Sequence, residues 1–166
     1  PIALRPAKPL TPVNKKLDTV TAVIEPILQR PMQPLADFYD YGLAYPQIHM
    51  HNAEFLHNIG FRGKDMQVAI TDAGFSGYAS LTTFDSVRNN NQILATWDYV
   101  LQRENVNAAS VHGMQCFSTM AANLPGKFIG SAPEASFYLY RTEDAATEYP
   151  KEEKNWVAAA ERADSA

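Results

Sequence analysis

The stretch VAITDAGFSG, residues 68–77, runs apolar for three positions and then places Asp72 two residues ahead of Gly74. A short apolar run closed by glycine reads as a buried strand, here Met66 to Ile70, with the acid at its mouth. A carboxylate in that position costs free energy unless something pairs with it, so its partner has to come from elsewhere in the chain. Working outward, Ile93 to Val100 after the Asn89, Asn90, Asn91 turn is a second strand, and SFYLY, residues 136–140, is a third, rich in aromatics. Between them Cys116, Phe117, Met120 and Ala121 fall on one helical face, in a helix that follows His112 and ends near Asn123, Leu124 and Pro125. The spacing of Ile48, Phe55, Leu56 and Ile59 predicts one helix over Gln47 to Ile59, stopped by Gly60 after Pro46 has closed the aromatic segment before it. A last helix over Trp156 to Ala163 opens after Pro150. Short strands alternating with helices predict an α/β fold built on a parallel sheet.

The chain has 166 residues, 46% hydrophobic and 19% charged, which is enough to bury one real core in one compact domain. Its 14 basic and 18 acidic side chains form no long block of one sign, so nucleic acid is not expected as a partner. No apolar run approaches the roughly 20 residues that cross a bilayer. Seven of the eleven prolines lie in the first 34 residues, and residues 1–36 read as an extended arm or propeptide linker. Within it Val20, Val23, Ile24, Ile27 and Leu28 form an apolar patch, and the globular part, 37–166, begins with Phe38, Tyr39 and Tyr41. The final helical pattern reaches Ala166 without a stop signal, so a longer natural chain is expected.

Two features carry chemistry. Asp72 lies at the carboxyl end of a strand, and His112, followed at once by Gly113, precedes a buried helix. Ligand sites in open α/β sheets gather outside the carboxyl ends of strands, so both side chains are able to face one crevice. A carboxylate bonded to one imidazole nitrogen fixes the tautomer and leaves the other nitrogen to take a proton from a nucleophile. The same residues also have plain readings, Asp72 as a turn residue and His112 as a structural histidine.

The sequence FRGKDMQVAITDAGF, residues 61–75, resembles the segment around the catalytic aspartate of subtilisin-like serine peptidases, where a buried strand leads into D-[ST]-G. HGMQCFSTMA, residues 112–121, with IGSAPEASFYLYRTED, residues 129–144, resembles that family's H-G-T-H-x-x-G-x-[IM]-A helix and the G-x-A-P-x-A-x-[LI] strand behind it. The resemblance covers about residues 54–166 and implies the amino-terminal part of a doubly wound parallel sheet, incomplete at its carboxyl end. It implies a serine endopeptidase acting on polypeptide by an Asp-His-Ser triad, with Asp72 orienting the base and His112 as general base and acid. The nucleophile motif G-T-S-M-A-x-P and the oxyanion asparagine do not occur in these residues, so this piece alone is expected to be inactive. Ser76, Ser110 and Ser118 lie outside any such motif.

Thr147, Glu148 and Tyr149 fall where the family's substrate-binding edge lies, and an extended peptide is expected to add there as a strand. Ala73 replaces the usual Thr or Ser beside the aspartate, and Met114 and Gln115 replace the usual Thr and His. The resemblance further implies a secreted or cell-envelope location, no cofactor for the chemistry, and a missing carboxyl-terminal part as partner. Many relatives bind structural calcium, yet no dense run of carboxylates marks such a site here. His49, His51 and His57 with Glu54 lack the spacing of a metal motif and read as surface or capping residues, so no metal is expected. Cys116, one turn after His112, reads as a small buried apolar residue. The alternatives are a non-catalytic peptide-binding or scaffold module of the same fold, and an unrelated phosphotransfer domain using Asp72 as acceptor. An unpaired sheet edge is expected to make the isolated chain self-associate or poorly stable.

Overall fold

The computed structural model describes residues 37–166 apart from Ala108 and Glu148, so the arm over 1–36 and its apolar patch lie outside the described residues. Helices α1, Tyr45–Met50, and α2, Ala53–Asn58, lead into strand β1, Gln67–Asp72. A 3-10 turn at Thr82–Phe84 runs into α3, Asp85–Asn89, before β2, Ile93–Asp98. Helix α4, His112–Ala121, is followed by a two-residue hairpin of β3, Asn123–Leu124, and β4, Phe128–Ile129, then by β5, Ser136–Arg141, and α5, Lys151–Asp164. Strands β1 and β2 each pair in parallel with β5, giving the order β1-β5-β2.

Strand β5 is therefore the centre of the sheet, and its residues alternate between two cores. Phe137 and Leu139 are fully buried with Phe75, Phe84, Val87, Phe117 and Ala121, against α4 and the 3-10 turn. Tyr138 and Tyr140 face the other way and pack with Tyr99 and Ala159 of α5. Both faces of a central parallel strand are covered in this way, which is why SFYLY carries no polar alternation. Helix α5 is further tied to the sheet by Tyr99 Oη donating to the Ala158 carbonyl at 3.1 Å, by Asn155 Nδ2 donating to the Thr142 carbonyl at 3.1 Å, and by Arg162 stacked 5.0 Å over Trp97. A third cluster, Tyr41, Ala44, Tyr45, Ile48 and Ile129, joins α1 to the β3–β4 hairpin.

Several local expectations are corrected. The single helix expected over Gln47 to Ile59 is two, because Asn52 takes a left-handed backbone, φ 53°, and breaks the hydrogen-bond ladder. Pro46 sits in the first turn of α1, where its missing N–H costs nothing, and does not end a segment. The strand bearing Asp72 is an edge strand of the three described, and only half-shielded: Ala69 is exposed and Val68 and Ile70 are partly buried. It runs two residues further than expected, so Asp72 is its last residue. The pair Asn123–Leu124 belongs to a strand, and α5 begins at Lys151, five residues ahead of Trp156, with Pro150 as its N-cap.

The carboxyl ends of the sheet carry charges side by side. Asp72 and Asp98 are the register partners of Arg141 on either side of it. Arg141 Nη1 donates to Asp98 Oδ2 at 3.1 Å, and Nε donates to the Ala73 carbonyl at 3.0 Å and to the Glu143 carbonyl at 3.2 Å. Asp98 is wholly buried, and its Oδ1 accepts the N–H groups of Val100 and Leu101, each at 2.9 Å. Replacing Arg141→Met should lower unfolding stability by about 3–5 kcal/mol, since it leaves a buried carboxylate whose nearest remaining cation is the Arg103 guanidinium at 3.8 Å. The double replacement Arg141→Met with Asp98→Asn should recover most of that loss in urea unfolding; equal losses in both variants would contradict the pairing.

A second constraint is Gly113. A Cβ there would lie 2.6 Å from the Gly74 carbonyl oxygen and 2.8 Å from Asp72 Cβ. Helix propensity alone would favour Gly113→Ala by about 1 kcal/mol. Overpacking against backbone costs about 1–3 kcal/mol, so Gly113→Ala is expected to destabilise the chain, read as a lower urea midpoint at unchanged slope.

Candidate functional site

The loop that ends β1 and the loop that starts α4 are stitched to each other. Phe75 N–H donates to the Val106 carbonyl, Ser76 N–H to the Ser110 carbonyl, each at 3.0 Å, and Gly77 N–H to Asn107 Oδ1 at 2.8 Å. Ser110 Oγ accepts the backbone N–H of His112 at 3.0 Å, which fixes the first residue of α4. With Gly113 against Gly74, the helix start is held close over the strand end.

That approach brings two of the sequence-predicted residues together. His112 Nδ1 lies 2.9 Å from both Asp72 Oδ1 and Oδ2. An ionised carboxylate only accepts, so Nδ1 carries the proton and Nε2 is left with the lone pair. Asp72 Oδ1 also accepts the backbone N–H of Ala73 at 2.7 Å. The Asp72 side chain is 10% exposed and that of His112 is 54% exposed. The arrangement is a shielded acid that orients an accessible imidazole, which suits exchange of a proton at Nε2.

Cys116, one helical turn on, places Sγ 3.9 Å from His112 Nδ1 and is half-buried, not enclosed in the core. Burial pushes its thiol pKa up, and the neighbouring Asp72 charge, which also hydrogen-bonds it, pushes it further. The thiol is thereby kept neutral and is a poor nucleophile. Asp72, His112 and Cys116 nonetheless bring one oxygen, one nitrogen and one sulfur within 4.8 Å of one another. This cluster was not marked by the sequence reading, because the helix turn and the strand end meet only in the folded chain.

The other residues singled out by sequence stand apart from this pair. Thr147 and Tyr149 lie in the turn ahead of α5, where the Thr147 N–H donates to the Asp144 carbonyl and the Tyr149 carbonyl accepts from the Glu152 N–H, each at 2.9 Å. Neither belongs to a strand, and Glu148 lies outside the described residues. A groove of about 450 Å³ nearby is lined by Thr142, Glu143, Glu152, Glu153, Trp156 and Val157, not by Thr147 or Tyr149. Ser118 Oγ donates to the Gln115 carbonyl at 2.6 Å within its own helix.

His57 is buried, which corrects its reading as a surface residue. Its Nε2 donates to the Ser131 carbonyl at 2.9 Å, so Nδ1 accepts from Tyr41 Oη at 2.8 Å. Burial, with the charges of Asp37 and Glu54, raises the pKa of that tyrosine and keeps its hydroxyl a donor. His49 pairs with Glu54 at 2.5 Å on α2. Arg141 and Asp98 were not marked by the sequence reading; the signal available was an acid or base at the end of each apolar strand.

No family model matches the chain, and no curated protein matches it. These findings overturn the assignment to the subtilisin-like family: the motif likeness around Asp72 and His112 describes short local segments and does not amount to membership. Among solved structures the chain is similar to the MycP3 protease from the type VII (ESX-3) secretion system, with a TM-score of 0.55 and 20% identity. The match covers 81% of this chain, which spans 36% of that structure. At that identity the likeness is one of fold, and the fold of this chain is protease-like.

Proposed function

We propose that this chain provides the acid–base half of a peptide-bond-hydrolysing site. The observation that carries the reading is the 2.9 Å contact from the buried Asp72 carboxylate to Nδ1 of an imidazole that remains accessible. The protease-like fold supports it. In this reading Asp72 holds His112 in the tautomer with its proton on Nδ1 and stabilises the imidazolium once Nε2 takes up a second proton. His112 accepts that proton from a serine hydroxyl as the oxygen attacks the substrate carbonyl, then returns it to the leaving amine. In this reading the serine, and the donors that stabilise the oxyanion, would have to come from outside these 166 residues. The step itself calls on no cofactor, and the substrate is a polypeptide. Thr147, Glu148 and Tyr149, ahead of α5 in the sequence, are kept in this reading as the edge to which a substrate strand would add.

A location outside the cytoplasm or in the cell envelope fits this reading, in line with the secretion-system origin of the structural neighbour. No helix of the described residues is long and apolar enough to cross a membrane. The second reading, a peptide-binding module without catalysis, rests on the same fold.

A fluorophosphonate reagent, which labels an activated serine, separates the two on the longer protein that contains this chain. Labelling is expected, and is expected to be lost in His112→Ala. Asp72→Asn should lower kcat on a peptide substrate by about 10⁴-fold while KM changes little, because the asparagine favours the wrong tautomer. Labelling indifferent to His112→Ala would remove the proton-transfer role, and no labelling at all would favour the binding module.

A further inference from the structure

The cluster at the start of α4 has a capacity that proton transfer does not use. His112 and Cys116 are four residues apart on one face of α4, the spacing at which side chains lie one above the other. Asp72 adds an oxygen from a different element, and the three ligand atoms lie within 4.8 Å of one another. Tetrahedral zinc sites use Zn–N and Zn–O bonds of about 2.0–2.2 Å and Zn–S bonds of about 2.3 Å, which set N···O near 3.3 Å and N···S near 3.6 Å. The separations found are 2.9 Å from Nδ1 to each carboxylate oxygen and 3.9 Å from Nδ1 to Sγ. An ion entering between them would need the first pair to open by about 0.4 Å and the second to close by about 0.3 Å, within the reach of side-chain rotation. The mixed N, O, S donor set suits a borderline-soft cation and does not suit the hard cations calcium and magnesium. The His112 side chain is 54% exposed, which gives an ion a route to the cluster.

We infer that Asp72, His112 and Cys116 form a binding site for a thiophilic divalent cation, zinc being the occupant its chemistry favours. Binding forms bonds from the metal to a carboxylate oxygen, to Nδ1 and to Sγ. The thiol releases one proton to solvent, the imidazole stays neutral as its proton moves from Nδ1 to Nε2, and the hydrogen bond from His112 to Asp72 is broken. A metal on Nδ1 holds the atom whose proton orients the ring, so occupancy switches the acid–base pair off. That consequence rests on the peptidase reading; the metal site itself does not.

The test is a titration of the 166-residue chain with Co²⁺, a spectroscopic stand-in for zinc, followed by competition with Zn²⁺. One equivalent is expected to bind with the near-ultraviolet charge-transfer absorption of a thiolate–cobalt bond, and Zn²⁺ is expected to displace it. Cys116→Ser should abolish that absorption and His112→Ala should weaken binding by at least roughly tenfold, with far-ultraviolet circular dichroism unchanged in both. His49→Ala, outside the cluster, should bind as the parent chain does. Calorimetry in buffers of differing ionisation enthalpy should read the release of one proton, that of the thiol. Absence of binding, cobalt bound without a thiolate band, or loss of binding in His49→Ala in place of the cluster variants would each overturn the site. Serine labelling of the longer protein is read in metal-free buffer and is independent of these outcomes.

Discussion

Two acids at the carboxyl ends of neighbouring strands, and one arginine between them, set the terms for everything else in this molecule. Arg141 is in register with both Asp72 and Asp98, and it cannot neutralise both in the same geometry. It is committed to Asp98, which lies at 0% exposure and has no access to water. Asp72 is left to a different partner. A charge buried at that depth without a counter-ion would cost several kcal/mol, so the division is enforced by solvation more than by attraction. Arg141 still acts near the other acid, because its Nε holds the carbonyl of Ala73, the residue whose own N–H donates to Asp72.

The partner that reaches Asp72 arrives through packing. Helix α4 approaches the strand end as closely as it does because residue 113 has no side chain, and the loops on either side are joined by backbone bonds at Phe75 and Ser76. The aromatic core beneath, with Phe84 stacked on Phe117 at 4.7 Å and Phe117 edge-on to Phe137 at 5.0 Å, holds the helix against the sheet. The proposed proton handling at His112 and the proposed metal site beside it thus depend on one helix–strand contact. They also compete, because both make use of Nδ1.

Much of the framework was legible in the chain. Three short apolar runs, separated by helical patterns, gave a parallel α/β sheet, and the placement of an acid at the mouth of the first pointed to the carboxyl edge. The helix break at Asn52 was not legible, since a left-handed asparagine depends on what the flanking turns pack against. Nor was the burial of His57, whose two partners, Tyr41 and Ser131, are 16 and 74 residues away. The family suggested by the motifs proved more specific than their content: short segments encode local geometry, and similar geometry is found in a protease structure that shares one residue in five.

The sequence by itself determined the three strands of the parallel sheet, the principal helices, and the presence of a carboxylate and an imidazole at element ends, because periodicity, capping and turn chemistry act over a few residues. Only the tertiary structure decided which acid meets the imidazole, which strand is central, and that Cys116 joins the cluster. Strand register and the approach of a helix to a strand end are fixed by contacts between segments 40 or more residues apart, and no local pattern in the chain records them.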